Sequence, residues 1–347
     1  MINAQRIGKG RPLDKTKKSS RPLLTVLVIV SVLLTVASVF ARTQPIANFP
    51  SLVLAVGSPY TPLAALAGLL VAVACRRIVL TVLAAGVVGV SIAVQISWYY
   101  VGQPPIAEAY QNIRVLSSNL RYGQADPAFI VNLTKDDADV VTVSELTPEA
   151  IQRLKQSGID AAFPYSHLIP APGAGGAGVW SRYPLDILAS TRDEEEGVSI
   201  PAARLLIPGL RFDPVLASVH VYSPVAGRSN TIDGWRSGMA SAKTELDSFA
   251  RIARGGAVII GGDYNSTPDM RQFRDLLTNG YRDAVEQSGS GFAPTFPSNR
   301  KIPPLITIDH VLTRNAAAES VRTIAVPGSD HRALLATIRV PIDPTAS

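Results

Sequence analysis

Apolar and polar positions divide the chain into two unlike parts. Residues 1–22 are polar and basic, and Leu23 to Phe40 then runs 18 residues without a charge, about the shortest length that spans a bilayer as a helix. Ser51 to Ala74 is a second charge-free run, interrupted by Gly57, Pro59 and Pro62, so its regular helix is expected from near Thr61. Ile78 to Tyr100 is the third and ends in Trp98-Tyr99-Tyr100, residue types that a membrane interface selects. A cleaved signal peptide ending near Ala37 and Ala41 accounts for the first run alone. A water-soluble core of three apolar helices rarely carries charge-free runs of this length. The pattern therefore predicts three transmembrane α-helices within 23–101, a short linker over 102–111 beginning Gln103-Pro104-Pro105, and a different kind of domain over 112–342.

In that domain short apolar runs alternate with helical periods. Strands are expected at Ile113 to Ser118, Ala138 to Val143, Val179 to Ser181, Leu216 to Val219 and Ala257 to Ile260. Helices are expected at Asp126 to Lys135, from the cap Thr147-Pro148-Glu149 to about Gln156, and at Trp235 to Arg254. Such alternation argues an α/β domain with its strands covered on at least one face.

Charge changes the picture of the two parts. Of the 33 Lys and Arg, 10 lie in residues 1–103 with the single acid Asp14, which leaves the remainder with 23 basic and 26 acidic groups, a net of −3. The basic balance belongs to the N-terminal third, where residues 1–22 read as a cytoplasmic tail. Lys and Arg before the first span, only Arg42 after it, and Arg76-Arg77 between the second and third fit the positive-inside rule with the N-terminus in and everything after Tyr100 out. A nucleic-acid partner ranks below a membrane partner on this charge, because phosphate neutralisation needs a basic face. Cys75, the one cysteine, excludes an internal disulfide and a thiolate zinc cluster. The glycine run Gly173 to Gly178 lacks the lysine of a P-loop.

Candidate chemistry sits where apolar runs stop. Ala257-Val258-Ile259-Ile260 delivers Gly261-Gly262-Asp263-Tyr264-Asn265, in which Asp263 and Asn265 stand two apart and would project to one side of an extended backbone. Read alone, this is equally an Asx-turn closed by Pro268. Glu145, His220, Ile308-Asp309-His310 and Ser329-Asp330-His331 likewise end or adjoin apolar runs, and such ends can converge on one site. On a strand His310 points away from Asp309 and is expected to be structural. His167 reads as a surface histidine, Arg182 as an ion-pair partner and Glu194-Glu195-Glu196 as a solvated loop, while Trp235, Arg236 and Phe296 are candidates for a pocket wall or for plain burial.

With these pieces in order, residues 112 to 340 resemble the endonuclease/exonuclease/phosphatase superfamily, which includes DNase I, exonuclease III-type AP endonucleases, sphingomyelinases and inositol polyphosphate 5-phosphatases. The resemblance rests on Asn119, Glu145, Ser181-Arg182-Tyr183-Pro184, His220, Gly262-Asp263-Tyr264-Asn265, Ile308-Asp309-His310 and Ser329-Asp330-His331, taken in sequence. It implies a DNase I-like four-layer α/β/β/α sandwich of two mixed sheets, and a hydrolase using Mg²⁺, or Mn²⁺ in its place. It implies Glu145 as principal metal ligand with Asn119 and Asp330 lining the metal site, Asp263 orienting the attacking water, Asn265 and His220 on phosphate oxygens, and His331 paired with Asp309. Arg121, two positions after Asn119, and His220-Val221-Tyr222-Ser223-Pro224 depart from the AP-endonuclease pattern. Pro294-Thr295-Phe296-Pro297 is similar to bacterial membrane-anchored members with three N-terminal spans, a group that includes teicoplanin-resistance proteins. That likeness implies a multi-pass protein of the bacterial cytoplasmic membrane, its catalytic domain outside. Its implied substrate is a lipid-linked phosphate, such as a polyprenyl pyrophosphate or a phospholipid head group. A surface nuclease and a catalytically inactive binding module are the alternatives.

Overall fold

The computed structural model describes residues 21–103, 109–189, 191–193, 198–226 and 231–345. The basic tail over 1–20, the middle of the linker and the acidic loop Glu194-Glu195-Glu196 lie outside the described residues.

Four helices come first: α1 (Arg21–Thr43), α2 (Phe49–Val56), α3 (Thr61–Ala74) and α4 (Ile78–Tyr99). Only α1 and α4 are individually long and apolar enough to cross a membrane. The middle run is broken: Phe49–Val56 meets Ser58–Ala74 at 45°. The break falls at Gly57, Pro59 and Pro62, because proline removes a backbone donor and cannot sit in a helix interior. Asn48 accepts from the Ser51 amide and caps α2, so the short helix starts as a unit of its own. The 14 residues of α3 extend about 21 Å, short of the ~30 Å hydrocarbon thickness.

The ends of these helices dock on the rest of the chain. Arg42, in the last turn of α1, lies 2.6 Å from the buried Asp269, and its carbonyl accepts from Arg274. Ile46 exchanges hydrogen bonds of 3.1 Å with the Gln272 side chain through both its amide and its carbonyl. Tyr99 is buried, its ring edge-on to Phe292 at 5.2 Å. The sequence assigns Tyr99 to a membrane interface; the structure gives it to the domain, leaving Tyr100 exposed.

The domain is two mixed sheets with helices outside. In chain order it contains β1 (Tyr110–Asn119), α5 (Pro127–Asp137), β2 (Val140–Ser144), α6 (Pro148–Gln156), α7 (Ile159–Ala162), β3 (Tyr165–Ile169), β4 (Ala177–Ser181), β5 (Leu185–Ile187), β6 (Thr191–Asp193), β7 (Val198–Ile200), β8 (Ala202–Leu205) and β9 (Val215–Val221). It continues with α8 (Thr231–Ala253), β10 (Val258–Asp263), α9 (Arg271–Leu276), β11 (Arg282–Asp283), α10 (Ala284–Ser288), β12 (Asp309–Arg314), β13 (Ala317–Ala325) and β14 (Arg332–Pro341). One sheet runs β13-β14-β1-β2-β4-β3. The other runs β11-β12-β10-β9-β7-β6, with β8 also on β9 and β5 on β8. Each has one parallel pair at its centre, β1 with β2 and β9 with β10.

Local signals set several boundaries. Asp126 caps α5 and Thr147 caps α6, each side chain accepting from backbone amides of the first turn. Period-two alternation then sorts the strands between layers. Val258 and Ile260 face the core under α8, while Ile259 faces the opposite sheet. Val141 and Val143 pack with Ile130 and Leu154 in the outer layer of the first sheet.

Candidate active site

The inner faces of both sheets shrink towards one edge. Ile113, Val115, Leu216 and Ile259 give way to Ser117, Thr142, Ser218 and Gly261. A Cβ on Gly261 would stand 2.2 Å from Thr142 Oγ1 and 3.1 Å from Ser117 Cβ, and one on Gly262 would stand 1.9 Å from the Val219 carbonyl. Gly261 therefore lets the sheets close at this end, while Gly262 clears the neighbouring strand β9 of its own sheet. Ser218 Oγ bridges them, donating to the Val143 carbonyl at 2.9 Å.

The next inward residues carry the chemistry. His220, Asp263 and Asp309 are register partners across β9, β10 and β12, so they form one row on one face. Asn119 ends β1 beside Ser144, and Glu145 follows. Asn119 Nδ2 donates to Glu145 Oε1 at 3.1 Å and to Asp263 Oδ2 at 2.8 Å, joining the sheets' carboxylates. Its Oδ1 accepts from the Arg121 amide at 2.7 Å. Glu145 adopts φ 57°, an uncommon conformation for a non-glycine residue, and its Oε2 accepts from the Tyr122 amide at 2.7 Å. His220 Nε2 is 3.9 Å from both Glu145 Oε1 and Asp263 Oδ2. His331 Nδ1 is 2.8 Å from Asp309 Oδ2, and its Nε2 is 3.9 Å from Asp263 Oδ2.

Two candidate pockets for a cation follow, Glu145-His220-Asp263 and Asp263-Asp309-His331, sharing Asp263. The first has two carboxylates, the oxygen donors that a hard divalent ion takes, beside a histidine nitrogen of the kind that suits a transition metal. Burial and the charge on Asp309 push Asp263 up to about 8, against the pull of His331 and its hydrogen bonds. A bound cation reverses that balance by favouring the ionised carboxylate, so the residues fit a metal. Burial opposes charge on His331, yet Asp309 and Asp263 raise it to about 10, which keeps it an imidazolium at neutral pH. Burial lowers His220 despite Glu145, so its ring is neutral.

Asp330 stands at the rim, outside both clusters, 3.8 Å from Arg121 Nε. Of the two readings of Asp263 and Asn265, the structure shows the Asx-turn and not the extended pair. Asn265 has φ 47° and its amide donates to Asp263 Oδ1 at 2.8 Å, a turn that orients the aspartate, while its Nδ2 donates to the Val221 carbonyl. His220 does not end its strand, which continues to Val221.

The remaining candidates fall elsewhere. His310 faces the outer core, bonded to Asp283 and the Ser266 carbonyl. Arg182 makes no ion pair among the described residues: it caps the C-terminal end of α5 through the Thr134, Lys135 and Ala138 carbonyls and covers the Phe163 ring. His167 lies on β3, bonded to the Ala202 carbonyl. Trp235 is buried and donates to Ser266, and Arg236 pairs with Asp233 at the surface. Phe296 does line the site, its ring 5.0 Å from that of His331. The sequence reading missed the Tyr122 amide and the Ser329 hydroxyl, which donates to the Asn119 carbonyl and accepts from the His331 amide. Backbone donors leave no side-chain signature, whereas Ser329 was visible as the first residue of Ser-Asp-His.

A family model described as the endonuclease/exonuclease/phosphatase family matches residues 112–331. The chain belongs to this family. Its members hydrolyse phosphoester bonds and use divalent metals. No curated protein matches the chain. Among solved structures, D. rerio TDP2 complexed with a single-strand DNA product is similar with a TM-score of 0.52 at 18% identity, over 66% of this chain and 99% of that one. An endonuclease/exonuclease/phosphatase from Bacteroides vulgatus gives 0.52 at 17% identity, over 66% and 99%. A mannosyl-6-phosphatase of Bacteroides thetaiotaomicron gives 0.50 at 15% identity, over 65% and 99%. At these identities the likeness is one of fold.

Proposed function

We propose that this family member is a membrane-anchored, Mg²⁺-dependent phosphoesterase that hydrolyses a lipid-borne phosphate, a polyprenyl pyrophosphate or a phospholipid head group, on the outer side of a bacterial cytoplasmic membrane. The observation that carries this reading is the docking of α1 and α4, both of membrane-spanning length, on the domain that holds the polar cluster. In this reading α1 and α4 both end against the domain and the chain between them returns across the bilayer through Ser58–Ala74, while α2 stays on the domain. Arg76 and Arg77 then lie on the side of the basic tail, as the positive-inside rule requires.

Glu145 is the principal metal ligand in this reading, with Asn119 bonded to it, Asp263 within reach and Asp330 at the rim. The ion would neutralise charge on the attacked phosphate as a Lewis acid. Asp263, held by the Asn265 and Asn119 amides, orients and deprotonates the water. Asn265 lines the cavity with its Nδ2 on the Val221 carbonyl, and in this reading the second hydrogen of that amide holds the phosphate. The imidazolium of His331, kept in orientation by Asp309, binds a phosphoryl oxygen, and neutral His220 donates to a second.

The test is phosphate release by the full-length protein in detergent with Mg²⁺, from a polyprenyl pyrophosphate, run beside cleavage of single- and double-stranded DNA with Glu145→Ala as control. Lipid turnover lost in the variant, without DNA cleavage, supports the reading; DNA cleavage lost in the variant replaces it with a surface nuclease. Orientation is checked by a cysteine at the exposed Lys155 in a Cys75→Ser background. Labelling by an impermeant thiol reagent in intact cells is expected, and labelling only after lysis reverses the topology.

A further inference from the structure

The polar cluster opens into a cavity of about 700 Å³, within the ~300–1,000 Å³ range of small-molecule sites. One of its walls comes from outside the family-matched residues. Phe49, Val53 and Val56 of α2, with Gly57 and Tyr60 of the turn that follows, line the same space as Glu145, Asp263 and His331. Spacings of four and three residues put Phe49, Val53 and Val56 on one side of the short helix. Leu52 and Ala55 mark the adjoining face and are buried in the domain core with Tyr264, Met270 and Phe273, Leu52 also reaching the cavity. That face fixes the helix, and the cavity face is left apolar and open: Phe49 is 61% and Val53 51% exposed.

Opposite stand Tyr222, Val225, Phe296 and Leu305. The Tyr60 hydroxyl donates to the Leu305 carbonyl, tying the turn to that wall. Among the described lining residues the charged or histidine side chains are Glu145, Asp263, His220 and His331 of the polar cluster and Asp330 at its rim, and none is Lys or Arg. The cavity is therefore graded. One end suits a metal-held phosphate head group, and the other suits a hydrocarbon body. The helix supplying the apolar end continues at 45° into α3, whose Leu63, Leu66 and Leu70 are exposed.

We infer that α2 is the chain-binding wall of the active site, and that the membrane segment determines specificity by seating the apolar chain of the phosphoester along Phe49, Val53 and Tyr60. This rests on the lipid-phosphate reading and adds to it a subsite with named residues. A substrate with the same head group and no long chain would lose these contacts, and a charge on the wall would penalise the chain while leaving the head group's partners in place.

The experiment uses the full-length protein in detergent with Mg²⁺ and compares kcat/KM for a long polyprenyl pyrophosphate with that for isopentenyl pyrophosphate, which shares the head group. Wild type is expected to favour the long chain, and Val53→Glu to reduce that preference at least about tenfold. The isosteric Val53→Thr, which keeps a β-branched side chain and is the milder change for folding, is expected to reduce it severalfold. A preference unmoved by either variant, with turnover intact, overturns the inference and leaves the lipid-phosphate reading standing. Wild-type protein that releases phosphate from neither compound overturns both.

Discussion

Two histidine–aspartate pairs flank β12, and they differ in everything but chemistry. His331 and Asp309 meet at 2.8 Å on the inner edge, facing Asp263 and the cavity. His310 and Asp283 meet at 2.7 Å one residue away, on the opposite face, where His310 also bonds the Ser266 carbonyl and stacks on Phe273 at 4.0 Å between ring centres. The second pair uses both ring nitrogens on fixed partners inside the core. The first leaves one nitrogen pointing at a site. A carboxylate beside an imidazole is thus no signature of catalysis by itself; the face of the strand decides, because neighbouring residues project to opposite layers.

Alanine at each histidine separates the pairs most strongly. His331→Ala should lower turnover by roughly 10²–10⁴-fold while the domain still unfolds cooperatively. His310→Ala should instead destabilise by roughly 3–5 kcal/mol, as a lost buried ring does, with turnover of the folded fraction largely kept. The partners give a smaller version: Asp309→Asn should cost about 10–100-fold in kcat, as the loss of a supporting partner does, and Asp283→Asn should appear in melting temperature before activity. Equal kinetic loss at both positions, measured on folded protein, would dissolve the distinction.

The smallest effect is in the pH dependence of stability without metal. His331 is raised from 6.5 to about 10 on folding, so its contribution is complete below about pH 6.5 and is lost as pH climbs through about 10. Asp263, raised to about 8 by burial and Asp309, acts in the same direction from about pH 4 upward. In EDTA the melting-temperature gap between wild type and His331→Ala should therefore narrow from pH 6.5 to 10. A gap that widens with pH would mean that the ring is neutral in the folded protein.

Much of the domain was legible because its signals are local. Asp126 and Thr147 cap the helices that follow them, apolar runs became strands, and Glu145, Asp263 and Asp309 stand at or beside strand ends. Period two alone turned His310 away from Asp309. The break of the middle apolar run at Gly57, Pro59 and Pro62, with its regular helix from Thr61, was legible as well. The gaps are of another kind. The choice between an extended Asn265 and an Asx-turn stayed open because spacing cannot reveal a left-handed φ, and Arg182 looked like an ion-pair partner because helix carbonyls carry no residue identity.

The sequence by itself determined the division into an apolar N-terminal third and an α/β domain, the strand ends that carry ionisable groups, and the family those residues resemble. Periodicity, capping and charge act within a few residues and are written in the chain. Only the tertiary structure decided that Asn119 would join Glu145 to Asp263, that His220, Asp263 and Asp309 would share one row, and that α2 would wall the cavity. Those contacts depend on strand register and on docking between segments such as Ile46 and Gln272, 226 residues apart, where the whole packed core, and no local preference, fixes which side chains meet.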